Sequence, residues 1–139
     1  MTSKETGKMD KAGTGAVDRA VLDGIRMLEG PESRGLLVKV LNLYLSDSLK
    51  HVERIRSAVK SGDPGSLRSA AHSLKSGSAN VGASGLAEVC RMVEEVANTG
   101  ETPPPDDPLP ARLEREYLAV RRELEELLAA ERGESRGGE

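Results

Sequence analysis

Aromatic residues are almost missing from this chain of 139 residues, which has two Tyr, no Phe and no Trp. Sandwiches and barrels are disfavoured by that shortage, because their strands favour aromatic and β-branched side chains. Almost no platform is left for stacking bases either. Cysteine is limited to Cys90, which excludes an internal disulfide framework and fits a reducing compartment. No apolar run approaches the ~20 residues of a membrane-crossing helix, and residues 1–15 lack the apolar stretch of a signal peptide. A net charge of −3 with 31% charged residues gives no basic excess for nucleic acid. Histidine is scarce as well, with only His51 and His72. What remains is a length near the modal size of one domain, long enough to bury roughly two-thirds of the unfolded surface without metal or disulfide staples. These limits imply a soluble, cytoplasmic, all-α domain.

Residues 1–15 are polar, Gly-rich and without period, and read as a loose tail. Val17, Val21, Leu22, Ile25 and Leu28 recur at helical spacing and predict a short first helix, stopped by Gly30-Pro31. Over residues 32–60, Leu37, Val38, Leu41, Leu45, Leu49, Val52, Ile55 and Val59 keep steps of three and four, giving one long amphipathic helix. Asp63 is the expected N-cap of the next helix, with Pro64 at its first position. That helix runs to Val81, is short of large residues, and is closed by Gly82. A fourth, over 84–97, buries Leu86, Val89, Cys90, Val93 and Val96. The Pro-rich stretch 98–110 is expected to be non-helical. The last helix, over 111–132, carries Leu113, Tyr117, Val120, Leu124 and Leu127 on one stripe, and residues 133–139 form a second tail. Short links between amphipathic helices predict an up-down-up-down four-helix bundle over residues 16–132, with the first helix capping one end.

The helix after Pro64 departs from an ordinary core helix. At about 100° per residue, Leu67, Ala70, Ala71, Leu74, Ser78 and Val81 form one buried stripe, and His72 projects away from it. A core histidine held by a buried hydrogen bond is therefore disfavoured. Arg68 and Lys75 lie one turn to either side of His72, and Ser76 and Ala79 follow at four and seven residues. Small side chains give another protein room to approach the imidazole, and the two cations favour a negative group upon it. A solvated surface histidine is the alternative that spacing alone leaves open.

Residues 71–83, Ala-His-Ser-Leu-Lys-Ser-Gly-Ser-Ala-Asn-Val-Gly-Ala, resemble the signature of the histidine-containing phosphotransfer (HPt) domains of bacterial phosphorelays. His72, Leu74, Lys75, Ser78, Asn80, Gly82 and Ala83 fit the pattern, and Leu86, Cys90 and Glu94 fit the helix that follows. Ser76 departs from the family's commonest residue there, glycine, but is still small. The resemblance covers roughly residues 16–130 and implies a four-helix bundle. It implies that His72 accepts a phosphoryl group from a phospho-aspartate on one receiver domain and hands it to an aspartate on another. Lys75 would stabilise the phosphoryl oxygens, and Arg68, Ser69, Ser73, Ser76, Ala79 and Asn80 would form the docking rim. Asn80 has the further option of serving the helix C-terminus. The implied partners are response-regulator receiver domains or a hybrid histidine kinase, with Mg²⁺ on the receiver and no cofactor on this chain. An imidazole nitrogen is a competent nucleophile near neutral pH, and phosphoryl transfer needs positioning and charge neutralisation above all.

Other signals are weaker. Residues 77–84 copy the glycine spacing of a phosphate-binding loop, but Ala83 replaces the obligatory lysine and no strand precedes it. No kinase-type nucleotide motif is present, so the expectation is a phosphocarrier and not an enzyme. His51 reads as a solvated surface residue without ligand partners at metal spacing. Cys90, on a buried stripe, reads as an inert apolar thiol, and Glu94 as an interhelical hydrogen bond or ion pair. The last helix could instead drive a coiled-coil dimer, though a monomeric bundle uses the same stripe. An adaptor that binds a receiver without carrying phosphate is the rival function, followed by a phosphohistidine-based phosphatase or kinase. Met1 and the polar tail lean towards a free-standing protein.

Overall fold

The computed structural model describes residues 15–133, so the tails expected at 1–15 and 133–139 lie almost wholly outside the described residues. Five helices follow one another: α1 (Arg19–Met27), α2 (Leu36–Ser61), α3 (Pro64–Asn80), α4 (Ser84–Asn98) and α5 (Leu109–Glu131). Among the described residues there is no strand, and no helix is long and apolar enough to cross a membrane. Helix α2 packs on α3, α3 on α4, α4 on α5 and α5 back on α2, closing a four-helix bundle, while α1 lies against α2.

The turns are set by local chemistry. Gly62 at φ 70° ends α2, with the Gly62 N–H donating to the Val59 carbonyl and the Asp63 N–H to that of Ala58. This left-handed closure satisfies carbonyls that the helix end would orphan. Asp63 then caps α3, accepting from the Ser66 N–H at 3.2 Å and the Ser66 hydroxyl at 2.8 Å, with Pro64 as the first helical residue. The same closure recurs at Gly82, where the Ala83 N–H donates to the Ser78 carbonyl and the Gly82 N–H to that of Ala79. These tight reversals fold α3 back along α2 and α4 back along α3.

The buried stripe of α3 is the one its periodicity predicts: Leu67, Ala70, Ala71, Leu74, Ser78 and Val81. Because half of these are small, α2 and α4 approach α3 closely. Elsewhere the stripes drift. In α2, Tyr44, Ser48 and Ala58 are buried, whereas Leu49 is 38% exposed and Val38 and Val59 are half-buried. In α4, Ala97 and not Val96 is buried, and in α5 Leu128 replaces Leu127. Leu109 and Pro110 are helical, contrary to the expected extent of the Pro-rich link. Proline is tolerated in a first turn because its missing N–H would have no helical partner there.

Helix α1 caps one end of the bundle through Leu22, with Val17 buried just before its first turn, while Leu28, assigned to its apolar stripe, is 71% exposed beyond the last turn. Its start is fastened twice. The Asp18 N–H donates to the Gly82 carbonyl at 2.8 Å, and Glu123 of α5 accepts from the Ala16 N–H at 2.7 Å and from Arg19 Nε at 2.9 Å. The two tyrosines supply a buried polar layer across the core. Tyr44 and Ser78 hydroxyls lie 2.8 Å apart, those of Ser48 and Tyr117 3.1 Å apart, and Arg121 Nη1 donates to Tyr117 at 3.0 Å. Each buried hydroxyl thereby keeps a partner, which avoids the cost of an unsatisfied polar group.

Candidate functional site

The wheel of α3 leaves His72 on the ridge of the helix, its side chain 60% exposed. Of the other residues expected around it, Arg68, Ser69, Ser76, Ala79 and Asn80 are exposed and Ser73 is half-buried. The side chain of Arg68 makes no hydrogen bond or ion pair with the described residues, and neither do those of Ser69, Ser73, Ser76 and Asn80. Lys75 is not the freely exposed side chain its position suggests. It is 30% exposed and leans towards α4.

The residue that organises this surface is Glu94. Its carboxylate, 15% exposed, takes Lys75 Nζ on Oε1 at 2.7 Å and meets His72 Nδ1 on Oε2 at 2.9 Å. Lys75 first, and His72 after it, hold the Glu94 carboxyl below the usual carboxylate range, against an opposing effect of burial. In a neutral imidazole facing a carboxylate, Nδ1 must be the protonated nitrogen, because a carboxylate only accepts. Nε2 then carries the free lone pair, and it has no hydrogen-bond partner among the described residues. The sequence reading gave Glu94 a structural bond between helices; the bond exists, but it joins both chemically significant side chains of α3. A carboxylate at the edge of the Leu86–Cys90 stripe needs a partner, and that requirement was the available signal.

His72 stands between two clefts. Towards α4 a cleft of about 300 Å³ is lined by Lys75, Ala79, Ala87, Glu88 and Arg91 together with Val21 of α1. Arg91 is paired there with Glu88 and Glu95. Towards α2 a cleft of about 290 Å³ runs past Ser73, Gly77 and Asn80 to Leu43, Tyr44 and His51. His51 is a correction to the sequence reading: it is half-buried, with Nδ1 shielded and without a hydrogen-bond partner. Burial and the nearby Arg54 lower its pKa. Its flank of α2 is covered by α3, which an isolated wheel cannot show. Cys90 is fully buried and burial pushes its thiol up to about 12, in keeping with an inert side chain. The α5 stripe that could have served a coiled coil, Leu113 to Leu124, is spent inside the bundle.

The family model described as Hpt domain matches residues 39–132, most of the chain and all of the site. This chain belongs to the Hpt domain family. Among solved structures it is similar to histidine-containing phosphotransfer protein B (HptB) from Pseudomonas aeruginosa PAO1, at 30% identity and a TM-score of 0.70. That alignment covers 83% of this chain and 96% of the other. The HPT domain of a sensor hybrid histidine kinase from Shewanella shares the fold at 17% identity and a TM-score of 0.68, with 83% and 95% covered. No curated protein sequence matches the chain. As an Hpt domain the chain has a histidine phosphotransfer role in two-component signalling, with kinases and response regulators as its partner classes. Hpt domains act as phosphocarriers and not as enzymes.

Proposed function

We propose that this Hpt domain relays a phosphoryl group between aspartates of receiver domains through Nε2 of His72, as one step of a multistep phosphorelay. The supporting observation is the pairing of His72 Nδ1 with Glu94 at 2.9 Å on an exposed helix ridge, which directs the Nε2 lone pair outwards. Nε2 attacks phosphorus of a receiver phospho-aspartate in line, the P–O bond to that aspartate breaks, and its electron pair leaves on the carboxylate. Glu94 accepts the hydrogen bond from Nδ1–H while positive charge develops on the ring, so the proton stays where it is. In the onward step a second receiver aspartate attacks phosphorus, the P–Nε2 bond breaks, and the pair returns to Nε2. Neutral imidazole leaves with Nδ1–H still on Glu94.

Lys75 carries three donors and uses one on Glu94, so others remain for phosphoryl oxygens beside His72. Arg68, unpaired one turn before His72, adds a second positive charge. Ser69, Ser73, Ser76, Ala79 and Asn80 form the rim on which a receiver sits, and their small size keeps the imidazole accessible. The chain works as a monomer without its own cofactor or nucleotide site, the receiver contributing Mg²⁺ and its own acidic residues. Incubation with a phosphorylated receiver should leave an acid-labile, base-stable label on the protein, absent in His72→Gln. Label that survives the substitution would remove His72 from the role, and binding without label would favour an adaptor.

A further inference from the structure

Buried polar atoms in a folded chain keep hydrogen-bond partners, and each exception calls for a physical reason. Among the described residues the exception is His51 Nδ1, which shows less than 1 Å² to solvent and has no partner. The ring is half-buried, in a cleft of about 290 Å³ between α2 and α3. A neutral imidazole tolerates this position in one form, with the proton on Nε2 and the Nδ1 lone pair enclosed. An imidazolium carries a proton on both nitrogens, so charging the ring would bury a donor that has no acceptor.

The surroundings oppose the charge as well. The cleft is lined by α2 and α3 alone, and its α3 residues, Ser73, Leu74, Gly77, Asn80 and Val81, are all uncharged. On α2, Lys50 and Arg54 repel an imidazolium, and only Asp47, one turn before His51, attracts it. Burial first, and Arg54 after it, hold the His51 pKa below its ordinary value. His72 is the opposite case. Its Nδ1 has Glu94 and its side chain is exposed, so a second proton requires no movement there.

We propose that His51 is an acid-sensitive latch between α2 and α3: on taking a proton from solvent the ring leaves the cleft and frees the flank of α3 that carries Ser73. Ser73 follows His72 directly, so the ridge that presents the phosphoacceptor loses a lateral support when the ring departs. The latch is independent of the phosphocarrier reading, whereas its effect on transfer rests on that reading. The direction of the pH dependence follows from linkage. With the folded value below the unfolded value of about 6.5, stabilisation by the neutral ring is complete above the unfolded value. It is lost as pH falls towards the folded value.

His51→Phe keeps a ring of similar size and removes the titration. From about pH 7.5 to about pH 5.5, the melting temperature of the unsubstituted protein should fall roughly 3–5 °C further than that of the variant. His51→Gln, which cannot titrate either, should follow the profile of His51→Phe. At the lower pH, amide exchange at residues 73–77 should be roughly fivefold faster in the unsubstituted protein than in either variant, and equal at the higher pH. Single-turnover transfer from a phosphorylated receiver to His72 should be about threefold slower than in the variants at the lower pH, and equal at the higher. Parallel melting profiles in all three proteins would overturn the latch, and so would equal exchange at residues 73–77 in acid. Equal transfer rates in acid would overturn its effect on the carrier. Failure of the phosphocarrier reading looks different: His72 takes no label even at the higher pH, while melting and exchange still separate the proteins.

Discussion

Replacing Glu94 tests the site with the least ambiguity, because one carboxylate touches both His72 and Lys75. Hydrogen bonds to charged groups contribute roughly 1.5–3 kcal/mol when buried. Here Glu94 is 15% exposed, but Lys75 and His72 are 30% and 60% exposed, so solvent screens both contacts. That screening brings each contact towards the ~0.5 kcal/mol of a surface pair, and Glu94→Ala should cost about 1 kcal/mol in all. For a chain of this length the loss lowers the melting temperature by roughly 3–5 °C.

The effect on chemistry is separable. If the bond to Nδ1–H biases the imidazole by the same ~0.5 kcal/mol towards the tautomer with a free Nε2, its loss slows phosphoryl acceptance roughly twofold. Glu94→Gln should fall between, since an amide oxygen still accepts from Nδ1–H but has no charge for Lys75. The pH dependence has a definite sign. The Glu94 pKa is depressed in the folded protein by Lys75 and His72. Its stabilisation is therefore fully present above the unfolded value of about 4.3, and is lost as pH falls through the lower folded value. The melting-temperature gap between the unsubstituted protein and Glu94→Ala should hold through neutral pH and shrink below that point. Ring-nitrogen NMR reports the tautomer and single-turnover transfer reports the rate. Unchanged tautomer and unchanged rate in Glu94→Ala would refute the positioning argument, whatever happens to stability.

Gly82→Ala should be among the costlier small substitutions, about 2–3 kcal/mol by urea titration, because a left-handed backbone and the Asp18 carbonyl at 2.7 Å both oppose the methyl. A loss below ~0.5 kcal/mol would mean that the junction between α1 and α3 relaxes freely. Tyr44→Phe removes the hydroxyl 2.8 Å from Ser78, leaves a buried donor short of a partner, and should cost about 1–2 kcal/mol, partly restored by adding Ser78→Ala. A double variant no better than the single would show that the pair is not coupled. Cys90, its thiol pushed up to about 12 by burial, should resist maleimide in mildly alkaline buffer until the bundle is unfolded by urea. Modification of the native protein at the rate of a free thiol would contradict its packing.

How much of this was legible in the sequence depends on whether one helix or two decide the outcome. The buried stripe of α3 was readable residue by residue, since Leu67, Leu74 and Val81 recur at seven and the small residues between them fill the same face. The cap at Asp63 was equally local, its carboxylate accepting from the N–H of Ser66 three residues on. The strict three-and-four spacing of α5 drifts against a 3.6-residue turn by about 20° per heptad, so after two heptads Leu128 has rotated inwards in place of Leu127. The half-burial of His51 and the reach of Glu94 belong to the second kind. Both residues lie at the edge of their own stripe, and a neighbouring helix decides whether an edge is wet. For His51 the neighbour is the small-residue flank of α3 at Ser73 and Gly77. For Glu94 it is the three-residue turn at 81–83, which brings a carboxylate 22 positions from His72 within 2.9 Å of its ring. The histidine that carries the family resemblance was thus visible from its own helix. The group that sets its tautomer belongs to the adjacent one and emerges only when the two helices are packed.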